Sequence, residues 1–287
     1  MFNLRPSILM LLILLSQAAC KKRIRETHNH VYSKYLQRTV ELSILTTPLP
    51  SNTGLYNLLL LNDGQDIGKL RVKIIIDSLF DKGLINPVVV VGINAGDRTQ
   101  EYGVAEIPDY QHRGTQAGKY SMFIDEELFP QVKRITGVKL FKSTIIAGCS
   151  LGGLSALDIA LDHPDKIDKA GLFSASFWWR DMDAALKEYS DQTNRIIINK
   201  IHSSHLQPHL KYWFYAGDAE EKGDRDNDGI IDVVDDTQDV IKAIQNKFNT
   251  SKGDISFTER KDGIHDYSSW SRVFPQFILW AIGKLNP

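Results

Sequence analysis

Residues Gly148-Cys149-Ser150-Leu151-Gly152 have the form G-x-S-x-G, and no other stretch restricts the fold of this chain as tightly. Small residues on either side of the serine let the backbone reverse sharply from strand to helix, which lifts the hydroxyl clear of a sheet. The flanks suit that turn. Ser143-Thr144-Ile145-Ile146-Ala147 reads as a buried strand, and Gly153 to Leu161 reads as a helix that starts on small residues. Ser150 is therefore a candidate nucleophile, and the N–H of Leu151 a candidate donor to a developing oxyanion.

The rest of the chain alternates strands and helices. Val40–Leu45, Leu58–Leu61, Val88–Ile93, Lys169–Ser174, Tyr212–Ala216 and Ile255–Arg260 read as strands. Between and after them, helices are expected over Ile67–Phe80, Met182–Tyr189, Thr237–Phe248 and Ser268–Gly283. The unbroken run Val88-Val89-Val90-Val91-Gly92-Ile93 is what a parallel strand covered on both faces requires. Alternation of this kind predicts a doubly wound, mostly parallel α/β sheet flanked by helices, with ligands at the carboxyl ends of the strands.

A serine hydroxyl needs a base, and the base needs an acid to fix its tautomer. His265, in Gly263-Ile264-His265-Asp266-Tyr267 after the last strand, is the expected base. The acid is expected after the strand Tyr212–Ala216, where Asp218, Glu220 and Glu221 all stand within reach. A second cluster, His202, His205 and His209, is interrupted by Pro208 and reads as an exposed connection.

Directly beyond the acid, Asp224 to Asp236 follows D-x-D-x-D-G-x-x-D. Alternate carboxylates can face one centre and Gly229 permits a sharp bend, so Asp224, Asp226, Asp228, the Ile230 carbonyl, Asp232 and Asp235 form a candidate structural calcium loop. No cofactor is expected for catalysis.

The N-terminus carries an export signal. A short basic region precedes the apolar run Ile8–Leu15, which is too short to span a bilayer comfortably and ends in Ser16-Gln17-Ala18-Ala19-Cys20. Residues 1–20 read as a signal peptide whose end resembles the bacterial lipobox. That resemblance implies cleavage before Cys20 and acylation of its thiol, and Gln17, where an aliphatic residue is usual, leaves simple secretion as the alternative. The expected location is the bacterial cell envelope, at the periplasm or cell surface, or the medium. Only Cys20 and Cys149 are present, so no disulfide is expected. Residues 21–38 read as a polar linker and 39–287 as one domain. With 34 Lys and Arg against 35 Asp and Glu, nothing in the charge points to nucleic acid, and a membrane is expected only through the lipid anchor.

Beyond these readings, the chain resembles the putative esterase family of α/β-hydrolases, which includes esterase D and feruloyl, acetyl-xylan and enterochelin esterases. The motifs that carry the likeness are Leu61-Asn62-Asp63-Gly64-Gln65, Gly92-Ile93-Asn94 with Arg98 and Glu101-Tyr102, Glu126–Pro130, Gly148–Gly153, Phe173–Trp179, and Gly263–Tyr267 with Trp270. The resemblance implies an α/β-hydrolase fold, a second oxyanion donor at the Gln65 N–H, and Glu220, three residues after Gly217, as the acid. It also implies Trp178 and Trp179 as substrate-pocket residues for an aryl or sugar face, and an Arg98–Glu101 ion pair under the site. The expected function is that of a serine carboxylesterase acting on a small-molecule or carbohydrate ester: an acetyl, feruloyl or siderophore ester. The alternatives are an acyltransferase of the same fold and a non-catalytic calcium-binding surface lipoprotein.

Overall fold

A computed structural model describes residues 24–48, 55–225 and 227–284. Residues 1–20, read as a signal peptide with Cys20 at its end, and Asp226 lie outside the described residues. Eight strands form one sheet: β1 (Arg25–Ser33), β2 (Arg38–Thr46), β3 (Asn57–Asn62), β4 (Val88–Ile93), β5 (Thr144–Cys149), β6 (Lys169–Phe173), β7 (Lys211–Gly217) and β8 (Ile255–Arg260). Their spatial order is β1-β2-β4-β3-β5-β6-β7-β8. Pairings β1–β2 and β2–β4 are antiparallel, and the other five are parallel.

Nine helices accompany these strands among the described residues: α1 (Val72–Asp81), α2 (Arg98–Glu101), α3 (Ala117–Met122), α4 (Phe129–Thr136), α5 (Leu151–Asp162), α6 (Asp191–Asn194), α7 (Ile196–Ser203), α8 (Asp232–Phe248) and α9 (Tyr267–Ile282). A wider π-turn over Phe123–Leu128 joins α3 to α4. Strands β3, β4 and β5 are buried at every position, because helices cover both faces. The period of two sorts their side chains. Leu59, Leu61, Val88 and Val90 pack with α1 and α9, whereas Leu58, Leu60, Val89 and Val91 pack with α5, α7 and α8. Each such Val or Leu contributes about 1.5–3 kcal/mol by leaving water, so the centre of the sheet is a rigid platform.

Three expectations are corrected. Residues 25–33, read as linker, form edge strand β1, paired along its whole length with β2. Its polar alternation misleads because an edge strand buries little, and only Val31 and Ser33 are fully covered. The first helix begins at Val72 rather than Ile67, after Arg71 adopts left-handed backbone (φ 57°). No helix forms over Met182–Tyr189. Asp183 instead accepts the Ala185 amide in a local turn, and α6 starts behind a Ser190 cap whose side chain accepts from Gln192.

Candidate active site

Ser150 sits between β5 and α5 with φ 55° and ψ −125°, a backbone region that L-residues occupy only under constraint. The constraint is packing of the turn against its neighbours. A Cβ on Gly148 would lie 2.2 Å from the Gly152 oxygen, and one on Gly152 would lie 2.9 Å from Asp63 Oδ2, so only glycines fit there. Backbone bonds complete the clamp. The Ser150 N–H donates to Phe173 O at 2.9 Å, while Ser150 O accepts from the amides of Gly153, Leu154 and Ser176. Leu151 supplies the first amide of α5, which has no acceptor within its own helix.

A second loop closes over this turn. Asp63 is left-handed (φ 58°), almost fully buried, and held by Arg98, whose Nε and Nη2 donate to its carboxylate at 2.7 and 2.9 Å. Arg98 Nη2 also lies 3.3 Å from Cys149 O, tying this loop to the end of β5. Asn62 Nδ2 donates to Gly152 O at 2.7 Å, and Tyr120 Oη donates to Asn62 Oδ1. The Gln65 side chain is spent on the loop itself, donating to Asp63 and accepting from the Ala95 amide. What Gln65 can offer a ligand is its backbone N–H, in the short 3-10 turn Gly64–Asp66. Arg98 and Glu101 do not pair with one another as expected. Glu101 binds Arg38 instead, at 2.6 Å, because α2 is a single turn whose two ends face different partners.

Glu220 and His265 meet at the carboxyl ends of β7 and β8. His265 Nδ1 lies 2.7 Å from Glu220 Oε2, with the carboxylate side chain 1% exposed and the imidazole 40% exposed. The other carboxylate oxygen accepts from the Gly217 amide at 2.7 Å and from Ser174 Oγ. Ser174 Oγ in turn accepts from Trp270 Nε1 at 2.9 Å, and the Trp270 ring stands edge-on to His265. Ser174 is fully buried with φ 42°, a second strained residue in the same site. The two rival carboxylates are employed elsewhere. Asp218 accepts the Asp262 amide, and Glu221 accepts the Val233 amide in the first turn of α8.

Ser150, Leu151, Ser176, Trp178, Glu220 and His265 line one cavity of about 380 Å³. Ser150 Oγ is 3.3 Å from Ser176 Oγ and makes no hydrogen bond to His265 in this arrangement. Serine needs only a χ1 rotation to redirect its hydroxyl, and catalytic hydrogen bonds commonly tighten only when substrate arrives. The neighbouring Cys149 does not compete, since burial, with Asp63 nearby, pushes its thiol well above the ordinary range. Of the two tryptophans, only Trp178 reaches the cavity. Trp179 is completely buried and packs against Gly103 and Gly114. Sequence reading did not single out Ser174 or Ser176. Their signal was the Phe-Ser-Ala-Ser run that follows β6, at the strand end next to Ser150.

The acidic loop is wound through its own amides. Asp224 accepts from Asp228 and Gly229 N–H, and Asp228 accepts from Ile230 N–H. Asp232 is occupied by Arg225, through its backbone N–H at 2.8 Å and its guanidinium at 3.1 Å. Ile230 and Asp235 complete the described part of the predicted set, Asp235 lying in the first turn of α8. Among the described residues no three His, Cys, Asp or Glu side chains gather as metal ligands, and the cluster of His202, His205 and His209 is no exception.

The family model described as putative esterase matches residues 33–281. No curated protein matches in sequence. Among solved structures, the enterobactin esterase of Shigella flexneri superposes with a TM-score of 0.67 at 22% identity, over 91% of this chain and 61% of its own. This chain therefore spans about three fifths of that enzyme. A ferulic acid esterase gives a TM-score of 0.64 at 17% identity, covering 91% and 98% of the two chains. For the siderophore hydrolase EstB of Aspergillus nidulans the TM-score is 0.65 at 15% identity, with 90% and 95% covered. The fold is thus the α/β-hydrolase fold expected.

Proposed function

This chain belongs to the putative esterase family, and from that premise we propose that it is a serine carboxylesterase working through an acyl-enzyme. Ser150 Oγ attacks the ester carbonyl and His265 takes its proton at Nε2. Glu220 holds the Nδ1–H and stabilises the imidazolium. The amides of Gln65 and Leu151 receive the oxyanion, a contribution of about 10²–10³ in rate per donor in comparable sites. His265 then protonates the departing alcohol, and water repeats the sequence to release the acid. One observation carries this reading: the 2.7 Å Glu220–His265 contact opens onto the cavity that also holds the strained Ser150. The chemistry asks for no cofactor.

Trp178 supplies a partly buried aromatic wall, so an acyl or alcohol part with an aryl or sugar face is the proposed substrate class. Purified protein is expected to hydrolyse p-nitrophenyl acetate, and a panel of acetyl-sugar, feruloyl and siderophore esters to rank its preference. Failure to hydrolyse any of them above the buffer rate overturns the esterase reading.

Export with acylation at Cys20 predicts a mature chain whose N-terminal residue is a lipid-modified cysteine; intact mass of protein recovered from membranes reads this, and an unmodified terminus rejects it. For the loop 224–235 we propose a structural calcium, supported by the D-x-D-x-D-G-x-x-D spacing and by the turn around Asp224. The ion would compete with Arg225 for Asp232. A rise in melting temperature on adding calcium to chelator-treated protein is expected, and no shift would leave Arg225 as the loop's own counter-ion.

A further inference from the structure

The sheet has two unlike ends, and the site described above uses only one. At the other, where the parallel strands begin, a cavity of about 790 Å³ is lined by Lys142, Lys169, Lys211 and Lys284 together with Trp280 and Leu279. Among the described residues, of these lysines only Lys211 forms an ion pair, with Asp254 at 3.1 Å, and Asp168 is a further carboxylate near Lys169. Lys169 donates to Ala281 O and lies over the Trp280 ring. Burial chiefly, and then Lys211 and Lys142 against the pull of Asp168, hold its ammonium below the ordinary range. The buried Ser143 hydroxyl in the same lining has no hydrogen-bond partner.

Exposed leucines stand at the same end of the sheet, Leu279 in the lining of the cavity itself. Leu55, Leu84, Leu140 and Leu206 stand on the segments that lead into β3, β4, β5 and β7, and Leu279 sits in the last turns of α9; each is at least 40% exposed. The described chain also enters at this end. Arg25 pairs with Thr46, Thr46 with Val89, and Val88 with Asn57 at the start of β3, so Ile24 lies on the same side as the cavity. Lysines for headgroups, an indole at the boundary and leucines for the acyl region are what an interfacial surface combines.

We propose that this amino-end face docks on an anionic phospholipid surface, leaving the Ser150 cavity at the opposite end turned toward the aqueous phase. The inference rests on sheet polarity and surface chemistry, not on the esterase reading. It adds a second membrane contact to the N-terminal segment, and a single acyl chain or a single basic patch binds only weakly alone.

Flotation of the full chain with vesicles tests it, comparing phosphatidylcholine alone with an equal mixture of phosphatidylglycerol and phosphatidylcholine. Stronger binding to the anionic vesicles is expected, lost near roughly 1 M salt where the Debye length is about 3 Å. The N-terminus, with its apolar run and its basic residues, is common to every variant, so the change in the ratio of binding to the two lipids between parent and lysine variants reads the face. Lys142→Gln/Lys211→Gln/Lys284→Gln should lower that ratio on the order of a hundredfold, about fivefold for each lysine. Leu84→Ser/Leu140→Ser should weaken binding to the anionic vesicles while ester turnover in solution stays unchanged. Equal binding to both lipids, or lysine variants that bind as the parent does, would overturn the proposal. So would release of the protein by millimolar inorganic phosphate at constant ionic strength with no loss in the leucine variant, which would assign the lysines to a soluble anion.

Discussion

Ser150→Ala is expected to reduce kcat for p-nitrophenyl acetate by about 10⁴- to 10⁶-fold, with KM little changed. The size follows from the mechanism: without Oγ no acyl-enzyme forms, and only the oxyanion donors and binding remain to assist water. The fold should tolerate the change. Ser150 Oγ makes a single 3.3 Å contact with Ser176, whereas the clamp on the turn is formed by backbone groups and by the glycines around it. The strained φ of 55° is kept by alanine, so melting temperature should move little. Nor can Cys149 substitute, being buried with its thiol held neutral. Equal rates in parent and variant would show that observed hydrolysis does not come from this serine.

How much of this was readable from residues alone depended on burial. The elbow was legible because Thr144–Cys149 and the helix behind it are buried throughout, so their apolar residues run unbroken into a turn that only small residues permit. Strand β1 was not, because an edge strand with solvent on its outer side has no reason to alternate apolar residues. The same limit applied to partners. The resemblance implied an Arg98–Glu101 pair, yet Asp63 and Arg38 reach these residues from distant strands. Trp178 and Trp179 are indistinguishable as letters, and only the direction of the chain leaving β6 puts one in the cavity and the other in the core. The acidic loop shows the reverse case, in which a strong pattern left out the residue that acts on it: Arg225 sits inside the motif and takes Asp232.

Glu220→Gln is expected to cost about 10⁴ in kcat, while Asp218→Asn and Glu221→Gln stay within a few-fold of the parent. The asymmetry comes from hydrogen-bond polarity. Glu220 Oε1 accepts from the Gly217 amide, a donor that cannot reverse, and from Ser174 Oγ, which itself accepts from Trp270 Nε1. A glutamine there must keep its oxygen on that side, which turns its NH₂ toward His265 Nδ1. The imidazole then has to accept at Nδ1 and carry its proton on Nε2, the tautomer that cannot take a proton from Ser150. Neither rival carboxylate has this relation to the base. Asp218 only receives the Asp262 amide, and a glutamine at position 221 still offers a carbonyl to Val233 N–H. Steady-state kinetics on the three variants, with melting temperatures alongside, decides the matter. Near-parent activity in Glu220→Gln with a collapse in either of the others would move the acid to that residue, and with it the direction from which His265 is held.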